Sequence, residues 1–90
     1  MARFDVPSIE LTEIAAAGST PDALLELGLP YCAGRDDVAI DFVSAHQWFN
    51  LAAIRGNAEA KRYHTEIARE MSKREIAEAQ RRAREWLARH

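Results

Sequence analysis

The chain has a single cysteine, Cys32, in its ninety residues. It can therefore form neither an internal disulfide nor a zinc cage made of thiolates. No run of about 18 apolar residues occurs, so no membrane span is expected. The opening residues Met1-Ala2-Arg3-Phe4-Asp5 lack the basic flank and apolar core of a signal peptide, and a cytoplasmic protein is expected. No serine stands in a nucleophile elbow, no glycine-rich phosphate cradle is present, and no His-Glu-x-x-His run occurs. No segment reads as a strand. Basic residues are scarce in the first half: positions 1–45 hold two against eight acidic, net −6, whereas positions 46–90 hold ten against six, net +4. Such asymmetry can guide partner choice or self-association, or simply reflect solvated helix faces.

What remains is an ordinary soluble composition, 48% apolar and 29% charged. Ninety residues make one small domain, 1–90, which buries only roughly 60–65% of its unfolded surface. Helix punctuation is plentiful. Thr20-Pro21-Asp22 offers a hydroxyl cap, a proline at the first helical position and an acid near the positive end of the dipole. That helix is expected to run to Ala33 and stop at Gly34. Its main stripe is Ala23, Leu24, Leu27, Gly28 and Tyr31, and Pro30 predicts a kink near Glu26–Leu27. Asp41 caps a second helix to Arg55, with Ala45, Trp48, Phe49 and Ala52 facing inward and Gly56 ending it. Asn57 caps a third over 58–71, with Ala60, Tyr63, Ile67 and Met71 as its stripe. Ser72-x-x-Glu75 is a capping box for a fourth over 73–88, with Ile76, Ala79 or Gln80, Ala83, Trp86 and Leu87 on one side.

The pattern repeats. Ile14-Ala15-Ala16-Ala17-Gly18 followed by Asp22-Ala23 matches Leu51-Ala52-Ala53-Ile54-Arg55-Gly56 followed by Glu59-Ala60, with the glycines 38 and the following alanines 37 residues apart. Ala45-x-x-Trp48 matches Ala83-x-x-Trp86 at the same interval. A fixed period of this length marks stacked supersecondary units. The chain divides accordingly: an N-terminal segment and partial repeat at 1–19, the best-defined repeat at 20–56, and a degenerate repeat with a closing helix at 57–90. Small residues let helix axes approach, and Trp48 and Phe49 fill the space between neighbours.

Ala23, Leu27-Gly28, Tyr31, Gly34, Val38, Asp41, Ala45, Trp48-Phe49, Ala52-Ala53, Gly56 and Ala60 together resemble the Sel-one-like repeat family, relatives of the tetratricopeptide repeats. The run Met71 to Trp86 is similar to the closing helix of many bacterial members. The resemblance implies an all-α fold: antiparallel helical hairpins in a short tetratricopeptide-like array with a C-terminal capping helix. It also implies a surface for other proteins. The chain departs from the family in its loop Gly34-Arg35-Asp36-Asp37-Val38, which lacks the second glycine and is one residue longer, and in the degenerate stretch after Ala60.

No residue set reads as catalytic, and neither cofactor nor metal is expected. His46 and His64 lie on different helices, and His46 is placed at the rim of the packing or exposed. Asp36-Asp37 with Asp41 lacks the alternation of a calcium loop. Cys32, near a helix C-terminus, is where the dipole raises a thiol pKa. Leu25, Leu29 and Cys32 form a second apolar stripe. The chain's own Phe4, Val6, Ile9, Leu11 and Ile14 cover it, or it is a groove for a partner helix or a second protomer, with Arg62 and Glu66 setting the register. A non-catalytic protein–protein interaction module is the first reading. The alternative is a small regulatory or nucleic-acid-binding protein using Lys73, Arg74, Arg81, Arg82, Arg84 and Arg89. Glu75, Glu78 and Glu85 interleave with these, which ranks that reading lower.

Overall fold

In the computed structural model, residues 20–35 and 37–89 are described. They form four helices: α1 Pro21–Ala33, α2 Phe42–Ile54, α3 Ala58–Ala68 and α4 Lys73–Arg89. No described residue lies in a strand, and the all-α expectation holds. No described helix is long and apolar enough to cross a membrane. The N-terminal segment, with Phe4, Val6, Ile9, Leu11 and Ile14, lies outside the described residues.

Each helix begins where a polar side chain satisfies its free amides. Thr20 Oγ1 accepts from the Ala23 N–H at 3.1 Å. Asp41 accepts from both the Ser44 N–H (3.2 Å) and the Ser44 hydroxyl (2.7 Å). Asn57 Oδ1 accepts from the Ala60 N–H, and its Nδ2 donates to Asp22 Oδ1, each at 2.8 Å, so the starts of α1 and α3 are tied together. At Ser72 both halves of the capping box form: Ser72 Oγ accepts from the Glu75 N–H at 3.1 Å, and Glu75 Oε1 accepts from the Ser72 N–H at 2.8 Å.

The stops are set by backbone geometry. At the end of α2 the Asn57 N–H donates to the Ala52 carbonyl (2.9 Å) and the Gly56 N–H to the Ala53 carbonyl (3.1 Å). This pairing requires the positive φ of 108° that Gly56 adopts. The helix proper thus ends at Ile54, one residue earlier than expected, with Gly56 exposed rather than in the core. α1 continues through Pro30 to Ala33. The carbonyl that the proline leaves without a donor belongs to Glu26, an exposed residue. In the loop that follows, Asp37 takes φ 63°, a left-handed conformation for which the sequence supplies no glycine; aspartate tolerates it better than most residues. The Asp41 N–H then donates to the Tyr31 carbonyl at 2.8 Å and closes the loop. α3 ends at Ala68 rather than 71, because Arg69, Glu70 and Met71 donate three residues back, to Glu66, Ile67 and Ala68, tightening the chain out of α geometry.

α2 is the centre of the molecule, with α1, α3 and α4 each packed against it. Six consecutive residues, Ser44 to Phe49, are buried, which a helix covered on only one side cannot achieve. Ala45, Ala52 and Ala60 are wholly inaccessible and permit close axes. Toward α4, the Trp48 and Trp86 rings meet edge to face, 6.1 Å apart at 80°, flanked by buried Ala79 and Ala83. Toward α3, Phe49 lies 5.3 Å from Tyr63. Toward α1, Phe49 presses on Gly28 so closely that a Cβ there would stand 2.6 Å from its ring. Ala23, Leu27 and Tyr31, expected in the core, are half-buried: the face that α1 turns to α2 centres on Leu24, Leu25 and Gly28, its buried residues, and Leu27 and Tyr31 pack at its margin.

Candidate functional site

Three features carry chemistry or recognition potential. The first is the α1 stripe. Leu25 is buried, while Leu29 and Cys32 are half-buried and pack against the core cluster. The Cys32 thiol donates to the Leu29 carbonyl at 3.3 Å, and burial pushes its pKa up. It is thus a protonated, weak nucleophile.

The second is the outer face of α3. Ala60, Tyr63 and Ile67 of this helix belong to the core or pack on it. Ala58, Lys61, Arg62, Thr65, Glu66 and Arg69 line an open recess of about 340 Å³. Arg62 and Glu66 therefore lie together on one surface, whereas Leu25, Leu29 and Cys32 sit on α1. The face carries Lys61, Arg62 and Arg69 against Glu66, and Arg62 is 3.5 Å from Glu59, both side chains well exposed. A single exposed pair of this kind is worth little and leaves the guanidinium able to turn to another carboxylate.

The third feature is one that reading along the chain missed. His46 is only 3% exposed, not at the rim, and its ring meets that of His64 from α3, centroids 5.1 Å apart at 63°. The two are 18 positions apart in sequence on different helices, so no local spacing announced the pair. The burial of Trp48 and Phe49 hinted at the enclosure of α2, but not that its His46 side would be covered. Burial, reinforced by the neighbouring His64, holds the His46 pKa below its usual value. Burial, with Lys61 nearby, lowers that of His64. Both shifts favour the neutral imidazole. His46 Nδ1 and Gln47 Oε1 are buried without a hydrogen-bond partner among the described residues, a cost of about 1–3 kcal/mol each when unrelieved.

On α4 two of the basic residues, Arg81 and Arg82, are held in ion pairs within the helix. Arg81 binds Glu78 and Glu85, and Arg82 Nε donates to Glu78 at 2.9 Å. Comparison with known protein families, with curated proteins and with solved structures finds no match.

Proposed function

We propose that the chain is a non-catalytic protein–protein interaction module, cytoplasmic, built as a short Sel-one-like array of antiparallel helical hairpins closed by α4. The observation that carries this reading is the two-sidedness of α3. One face supplies Ala60, Tyr63 and Ile67 to the core, and the other lines the open 340 Å³ recess with Lys61, Arg62, Thr65, Glu66 and Arg69. A recess of that size stands at the small end of the roughly 300–1,000 Å³ of binding clefts. It suits one or two side chains of a partner rather than a metabolite. Its mixed charges give specificity and orientation more than raw affinity. The nucleic-acid reading draws less support, since Glu78 and Glu85 already neutralise Arg81 and Arg82.

Charge reversal tests the proposal. Arg62→Glu combined with Glu66→Arg should leave the helical circular dichroism unchanged. It should abolish co-purification of the proteins that wild type retains specifically in its own cell extract. Unchanged co-purification with the doubly reversed protein contradicts this surface as the site.

A further inference from the structure

We propose that the seam between α2 and α3 is an acid-sensitive joint: His46 and His64, packed ring against ring across it, take up protons in mildly acid solution and loosen the hold of α3 on α2. The ring centroids lie 5.1 Å apart, with His46 3% exposed and His64 half-buried. A buried imidazolium is tolerated only beside a group that neutralises it. Across the seam His46 meets no carboxylate but His64, a second proton acceptor, and Lys61 adds a like charge to His64 from the same helix. The acids of the neighbouring elements are turned elsewhere. Asp22 and Glu26 of α1 and Glu59 and Glu66 of α3 are exposed. Asp41, at the head of α2, is engaged with Ser44. On α4, half-buried Glu78 is held by Arg81 and Arg82. No charged side chain of α1 or α4 among the described residues acts on either imidazole. His46 Nδ1 has no hydrogen-bond partner among the described residues, so a proton placed there meets no acceptor.

The direction of the effect follows from the burial of both rings, which lowers their pKa values from the ordinary 6.5. Below that pH the unfolded chain binds more protons than the folded one. Stability that is complete above 6.5 is therefore lost as pH falls. α3 is the element to yield, since Ala60 alone among its residues is buried. Lys61 and Thr65 of this helix line the recess that faces solvent, so acid loosens the helix that carries it. The joint is a property of the packing and holds whether or not that recess takes a partner.

The test is a series of urea titrations of the purified chain between pH 7.5 and 5, above the range where carboxylates titrate. In wild type the ratio of folded to unfolded chain should fall roughly ten- to a hundredfold across that window, up to tenfold per pH unit for each proton taken up. His64→Gln should reduce the fall, and His46→Gln combined with His64→Gln should flatten it. If the double variant does not fold, His64→Gln alone decides. His90→Gln should behave as wild type. Amide hydrogen exchange at pH 5.5, corrected for its intrinsic rate, should rise more in α3 than in α1, which packs on α2 without touching the pair. A ratio constant through the window, a fall undiminished in His64→Gln, a fall lost in His90→Gln, or protection lost from α1 as readily as from α3 overturns the proposal.

Discussion

At Gly28 a single methyl group probes the seam between α1 and α2. A Cβ there meets Phe49 Cε1 at 2.6 Å, Phe49 Cδ1 at 2.8 Å and the Ala45 carbonyl oxygen at 3.2 Å. Phe49 is wholly buried between Gly28 and Tyr63, so its ring has no room to retreat. Alanine is ordinarily the better helix former by about 1 kcal/mol. Here overpacking, typically about 1–3 kcal/mol, outweighs that gain. Gly28→Ala is expected to lower stability in a urea titration with an unchanged m-value. An increase in the midpoint would mean that α1 stands farther from α2 than these contacts imply. His46 shows the opposite side of residue-scale reading. Its burial is decided by which helices surround α2, a fact that no neighbour in sequence records.

At the scale of the element, α4 owes its start to Ser72 and Glu75 and its solvent side to an ion-pair ladder. Ser72→Ala removes the acceptor for the Glu75 amide and should cost about 1 kcal/mol, or roughly 4–8 °C in Tm for a chain of this size. A melt indistinguishable from wild type would show that α4 does not depend on this cap. Glu78 provides the pH probe. Hydrogen bonds from Arg81 and Arg82 lower its pKa from 4.5 to about 2. A carboxyl depressed in the folded state contributes stability that is complete above 4.5 and is lost as pH falls toward 2. The Tm difference between wild type and Glu78→Gln should accordingly be constant above pH 4.5 and shrink progressively as pH falls from there to about 2. It should be small throughout, because the pairs face water and salt screens them. A difference independent of pH contradicts the pairing. Starts of helices were legible in the sequence because a cap is a local device: Thr20, Asp41, Asn57 and Ser72 all do what their residue types prescribe. The end of α3 was not, since neither glycine nor proline marks residue 68. The chain tightens there through ordinary residues, Arg69 and Glu70.

At the scale of the whole molecule, the arrangement turns on α2 being enclosed by three helices. The sequence pattern pointed to Trp48, Phe49, Ala45, Ala52, Ala60, Ala83 and Trp86 as inward-facing, and all seven are buried. Their identity as small or aromatic residues at helical spacing was enough to place them. The pattern did not say that Trp48 and Trp86, matched at the 38-residue interval, would touch each other, because contact depends on how α4 folds back after α3. Of the residues the sequence singled out for a proposed partner surface, Leu25, Leu29 and Cys32 lie on α1, and Arg62 and Glu66 on the outer face of α3. That Arg62 and Glu66 share a recess with Lys61, Thr65 and Arg69 is a property of shape, visible only once the helix is placed. The same holds for the His46–His64 contact.

Trp48 and Trp86 are the only tryptophans in the chain and are 1% and 0% exposed, so fluorescence excited selectively at tryptophan, beyond the absorption of the two tyrosines, reports on the joint between α2 and α4. The structure predicts a blue-shifted native emission that acrylamide quenches weakly, moving to the red and becoming readily quenched only on unfolding. A native emission already red and freely quenched would place these indoles in water and contradict the enclosure of α2.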